Sequence, residues 1–318
     1  MALAIKVLVV GLAGYLLIRS NAGTIGLFGI LLGALATLVG GWRTGLAVSV
    51  GCFIVAGAGL TLSATAWAAV LFVGIVAALC AYASRVGLHS AWLPVVTLAA
   101  LAATAPVVTA PIWGHAALVG LGSLAGVLVC EIPPAMPEST SRVMLTATGA
   151  LIYAAAVGVS CLVATWFVVA FRIPHGYWLI AALAACAQPS PSRAEDKALQ
   201  RQLGTVVGGL VGLSLTAVIH DRNALLTAAI VLALLGVGSL WRGYAFTIGF
   251  LAAAIVVLAG LSSTAGDVAG IRIGLNILGG IIVILVSASL APLLARINQR
   301  VPLVLEPAAA PGGPDTAG

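Results

Sequence analysis

The chain has 318 residues, of which 62% are hydrophobic and only 7% charged, against about a quarter charged in soluble globular domains. Its mean hydropathy of +1.21 is spread along nearly the whole length, so it reads as a multispanning membrane protein with no room for a soluble domain. The net charge of +6 does not point to nucleic acid, because such chains collect Lys and Arg on cytoplasmic loops for topological reasons.

In chain order, apolar runs broken by polar, Gly or Pro residues predict an all-α chain with twelve spans. They lie at roughly 3–18, 23–40, 44–62, 65–83, 89–108, 112–131, 143–171, 176–188, 203–219, 223–240, 244–262 and 268–291. Unbroken runs such as Ile281 to Val286 lack the alternation that a membrane barrel requires. Met1 to Ile18, with Lys6 and a following Ser20-Asn21-Ala22, resembles a signal peptide, but the repeat described below needs it as a retained helix. The eighth span is too short to cross alone and the seventh is long, so the two are expected to shift in depth together. Residues 301–318, with Pro302, Pro307, Pro311 and Pro314, read as a disordered cytoplasmic tail.

The few charges fix an orientation. With Lys6 inside, Arg43, Arg85, Arg142, Arg193, Lys197, Arg201, Arg242, Arg296 and Arg300 share its side, whereas Arg19, Arg172, Arg222 and Arg272 fall opposite. The positive-inside rule therefore puts both termini in the cytoplasm and makes Pro189 to Arg201 the largest cytoplasmic loop. Arg43 pairs with Arg201, Arg85 with Arg242 and Pro133 with Pro292 at separations near 158 residues. The pairing predicts two six-helix modules in the same orientation, 1–131 and 143–300, joined by a Pro-rich linker at 132–142 and related by an axis along the membrane normal.

Chemistry-bearing residues are sparse. Cys52, Cys80, Cys130, Cys161 and Cys186 show no CxxC spacing and read as small core residues, so no disulfide framework or metal site is expected. Gly204, Gly208 and Gly212 give the ninth span a smooth face for helix packing, and Gly29 with Gly33 and Gly122 with Gly126 repeat the device. Buried carboxylates of the kind used in proton relays are absent from the predicted spans. Arg272, with Asn276 one turn deeper on the same face, offers donors to an anion near the outer surface, or else snorkels to the headgroups. His115 and His175 are candidates for titration near neutral pH, Tyr177 and Trp178 are either interfacial anchors or site residues, and His220 reads as solvated. No nucleophile elbow, zinc helix or phosphate-binding loop is present, so neither an enzyme nor a cofactor is expected.

Three stretches exceed generic hydropathy: His175-Gly176-Tyr177-Trp178, Gln188-Pro189-Ser190, and Arg201-Gln202-Leu203-Gly204-Thr205-Val206-Val207-Gly208-Gly209. Together they resemble the fusaric acid resistance and aromatic acid exporter families, most strongly over residues 143–292, with Arg272 and Gly279-Gly280 resembling the end of those families' membrane module. In the first half only Trp42-Arg43-Thr44-Gly45 echoes the pattern. The large cytoplasmic domains of longer family members are lacking.

The resemblance implies a bacterial inner-membrane exporter of aromatic or other organic acids, with Arg201, Thr205, His175, Tyr177, Trp178, Arg272 and Asn276 as substrate-binding candidates. The implied partners are the small organic acid, membrane lipid, a periplasmic adaptor subunit and further copies of the chain, with no nucleic acid. The expected path takes the anion in past Arg193, Lys197 and Arg201 and releases it past Tyr177, Trp178 and Arg272. A passive anion channel and a non-transporting scaffold are the alternatives.

Overall fold

A computed structural model describes residues 23–104, 111–131, 144–239, 242–261 and 265–298. The first predicted span, the linker and the tail lie outside the described residues. Among those described there are eleven α-helices and no strand. In the first half they are α1 (Gly23–Gly40), α2 (Trp42–Leu62), α3 (Ala66–Tyr82), α4 (His89–Thr104) and α5 (Ile112–Glu131). In the second half they are α6 (Ala147–Ala170), α7 (Tyr177–Cys186), α8 (Pro191–Val218), α9 (Arg222–Gly238), α10 (Tyr244–Gly260) and α11 (Ala265–Asn298). Six of the described helices are long and apolar enough to cross a membrane, and five shorter ones are also apolar. The chain is thus a multi-pass, all-helical membrane protein. Its outward faces carry Leu71, Ile75 and Leu79 on α3 and Leu203, Val207 and Leu210 on α8, all exposed, which suits lipid tails as solvent.

Two boundaries depart from the sequence reading, both for local reasons. The predicted cytoplasmic loop Pro189 to Arg201 is mostly helix, because α8 starts at Pro191. Proline suits a first helical position, where its missing N–H costs nothing, and the following Ala, Glu, Lys, Leu and Gln are good helix formers. At the other end, α11 runs through Pro292 to Asn298, so Pro292 does not close a helix as its pairing with Pro133 required. In lipid, neighbouring helices and local adjustments can satisfy the backbone group that a proline frees.

Helix pairing sets the architecture. In the first half α1 and α2 each pack on α5, and α2 and α3 each pack on α4. In the second half α7 and α8 each pack on α11, and α8 and α9 each pack on α10, which is the same set of pairs shifted by six helices. The contacts of α1 with α4 and of α10 with α11 have no counterpart of like extent. The halves meet where α3 packs on α6 and α4 on α7. Close approach depends on glycine at a few points. A Cβ on Gly208 would overlap the carbonyl oxygen of Gly249 across the α8–α10 crossing, and one on Gly126 would overlap that of Ile30 across α5–α1. The five cysteines are all buried free thiols, as expected of small core residues.

Candidate functional site

The site follows from the geometry of α7, α8 and α11. α6 ends at Ala170, and the chain reverses through a turn in which Arg172 and His175 take φ of 49° and 54°, a left-handed conformation rare for residues with a Cβ. The turn leads directly into α7, a helix of only 10 residues. At 1.5 Å per residue α7 covers about 15 Å, half the roughly 30 Å hydrocarbon core. Its first turn places Trp178, 3% exposed, with the indole 4.8 Å from the Tyr177 ring.

α8 and α11 run antiparallel against each other: Gly280 sits by Ala198 and Gln202, and Ile273 by Gly209. Arg201 lies ten residues from Pro191, and Asn276 lies eleven from Ala265, so each is about 15 Å along its helix. Their meeting point therefore lies well inside both helices rather than at their ends. There Arg201 donates from Nε to Asn276 Oδ1 at 2.7 Å and from Nη1 to the Tyr244 hydroxyl at 3.0 Å. Asn276 in turn donates from Nδ2 to the carbonyl oxygen of Arg272 at 2.8 Å. The Arg272 guanidinium lies 3.8 Å from the centroid of the Trp178 ring, within the range of a cation–π contact. Lys197, one turn before Arg201, places its Nζ 5.4 Å from the Tyr244 ring.

These side chains border a cavity of about 330 Å³ between the two halves. Ser90, Leu93, Pro94 and Thr97 of α4 and Ile30 to Leu32 of α1 form its first-half wall, and α7 to α11 form the remainder. Lys197, Arg201, Tyr244, Arg272 and Trp178 make one end polar, while Ile230, Leu234 and Leu251 make another end apolar. No Asp or Glu is among the described residues that line it. Glu195, Asp196, Asp221 and Asp267 are all exposed, whereas Arg272 and Arg201 are only 3% and 7% exposed. Among the described residues the buried charge around the cavity is thus positive.

Of the residues singled out in the sequence, Arg201, Trp178, Arg272 and Asn276 come together. The sequence reading puts Arg201 and Arg272 at opposite mouths of a path; the structure instead joins them through Asn276 in one cluster, because α8 begins at Pro191, about three turns before residue 203. Thr205 follows one turn after Arg201, 1% exposed and with its hydroxyl lacking a hydrogen-bond partner among the described residues. Tyr177 is half-buried, and His175 is exposed on the turn, its ring edge-on to Tyr177 at 6.2 Å. His115 and His220 are also not buried. The buried histidine is His89, 3% exposed, whose Nε2 lies 3.3 Å from Gln188 Oε1 across the junction of the halves.

Sequence reasoning missed Tyr244 and His89. Tyr244 carried a usable signal, as the one polar aromatic opening an otherwise apolar span directly after Arg242-Gly243. His89 carried none, since its partner is 99 residues away.

Residues 160–286 match the family model described as fusaric acid resistance protein-like. The matched stretch contains Trp178, Lys197, Arg201, Thr205, Tyr244, Arg272 and Asn276. No curated protein and no solved structure matches the chain.

Proposed function

From a second half that is fusaric acid resistance protein-like over residues 160–286, we propose that the chain is a transporter that carries organic acid anions across the membrane through the cavity between its halves. The observation that carries this reading is the cavity's charge. Lys197, Arg201 and Arg272 line it without a carboxylate among the described residues. Buried cations at membrane depth are costly and mark substrate paths. An anion supplies the missing partner.

The shape narrows the substrate. An engineered cavity of about 150 Å³ admits benzene, so about 330 Å³ accommodates an aromatic or alkyl body with substituents. A carboxylate at the polar end and an apolar body against α1 and α9 would satisfy both ends. Aromatic acids are the favoured members of the class.

The direction is outward. In a bacterial inner membrane with both termini cytoplasmic, an inside-negative potential favours anion exit by about 2.3 kcal/mol per charge per 100 mV. The two halves act as modules related by an axis along the membrane normal, a reading supported by the four helix pairings that recur at a shift of six. A periplasmic adaptor subunit would receive the anion, and the exposed apolar faces leave room for further copies of the chain.

The test is flux of radiolabelled benzoate in proteoliposomes under an imposed potassium diffusion potential. Benzoate should accumulate on the positive side without a pH gradient and at a rate that saturates with concentration. A rate equal to that of protein-free liposomes sinks the transport reading and favours a scaffold.

A further inference from the structure

The two buried arginines of the cluster are not equivalent. Arg201 has its Nε committed to Asn276 and one Nη to Tyr244. Arg272 is more deeply buried, yet its Nε and Nη1 have no hydrogen-bond partner among the described residues, and it borders the cavity. Buried N–H groups of a charged side chain are rarely left unpaired, because their lost hydration is then not offset. One face of the guanidinium is covered by the Trp178 indole at 3.8 Å, so the unpartnered donors, themselves buried, lie around its edge.

We infer that Arg272 is the seat of the anion's carboxylate, that Trp178 holds the guanidinium flat for it, and that Arg201 is a positioning residue locked by Asn276 and Tyr244. This rests on the anion reading of the cavity and deepens it. The link between the two arginines is Asn276. It accepts from Arg201 and donates to the backbone carbonyl of Arg272, so Arg201 fixes the turn of α11 that presents Arg272. The N-terminal end of α7, whose first turn carries Trp178, adds the partial positive charge of its helix dipole on the same side. Arg201 and Lys197 contribute long-range attraction, and Arg272 makes the contact.

The experiment measures binding of 2-naphthoate to the purified protein in nanodiscs by scintillation proximity, with neutral 2-naphthamide as the comparison ligand. Wild type should bind the acid and not the amide. Arg272→Gln should weaken naphthoate binding roughly 10- to 100-fold, as expected for loss of charge-assisted hydrogen bonds. Arg272→Lys keeps a buried cation and therefore the fold, but it lacks the planar fork, so it should recover only part of the affinity. Tyr244→Phe, which frees a donor of the positioning residue Arg201 without touching Arg272, should weaken naphthoate binding by no more than about fivefold, short of the Arg272→Gln loss. A folded Arg272→Gln protein that binds like wild type overturns the assignment, as does a Tyr244→Phe loss as large as that of Arg272→Gln. Failure of the wild type itself to prefer acid over amide overturns the anion reading of the cavity, and this assignment with it.

Discussion

Asn276→Leu isolates the polar link inside the cluster with almost no change in side-chain volume, so the cavity and overpacking terms of a core substitution are small. What disappears is the 2.7 Å acceptor of Arg201 Nε. Because Arg201 is only 7% exposed, water replaces that acceptor incompletely, and a hydrogen bond to a charged group is worth about 1.5–3 kcal/mol. Arg201 retains Tyr244, which tempers the loss. The carbonyl of Arg272 retains its acceptor role within the helix, which adds little. The expected cost is about 2 kcal/mol, on the order of a 30-fold shift in the folded-to-unfolded ratio. Equilibrium unfolding in mixed micelles of increasing SDS fraction, followed by far-ultraviolet circular dichroism, measures it. Ile277→Val, at a 40% exposed neighbour, serves as the control and should stay within about 0.5 kcal/mol. An Asn276→Leu protein as stable as that control would show that the Arg201–Asn276 bond does not order the cluster.

Tyr153→Phe removes a hydroxyl that is buried without a hydrogen-bond partner among the described residues, so in the same unfolding assay it should be neutral or stabilising by up to about 1 kcal/mol; a loss above that would mean that the hydroxyl is paired. Gly208→Ala places a Cβ on the carbonyl oxygen of Gly249 and should lower stability by about 1–3 kcal/mol, whereas Gly270→Ala, where a Cβ meets nothing within 4 Å, should not. Orientation is read by Arg193→Cys and His220→Cys in a background lacking the five buried cysteines: a membrane-impermeant maleimide added to intact cells should label position 220 and spare position 193, and the reverse pattern inverts the topology.

The fold was largely legible because the lipid environment removes alternatives. Eleven of the predicted spans reappear as helices among the described residues, since apolar runs in a membrane have only one way to satisfy their backbone groups at this length. Where the sequence misled, polar composition was the cause. Pro191 to Arg201 looks like a loop by hydropathy, yet its residues are good helix formers and α8 absorbs them. Pro292 looks like a terminator, yet α11 passes through it. Hydropathy reports solvent preference, and helix limits also depend on capping and propensity.

That first error governed how the site was understood. With α8 starting near residue 203, Arg201 belongs to a cytoplasmic vestibule; with α8 starting at Pro191, the same residue stands about 15 Å inside the helix. The sequence marked Arg201 and Arg272 as unusual but could not bring them together, because their contact is a tertiary one between antiparallel helices, made through a residue 75 positions from Arg201. Scarcity of charge was the legible part, and its consequence is physical. In a chain with plentiful carboxylates, two buried arginines would find acidic partners and the cluster would be a neutral structural bridge. Here the described carboxylates with defined surroundings are exposed, Arg201 is satisfied only by neutral oxygens, and Arg272 keeps two donors open. On the transport reading proposed above, that surplus charge among the described residues is met by the anion itself, so the same deficit that defines the composition is what makes an anionic ligand the natural test of the cavity.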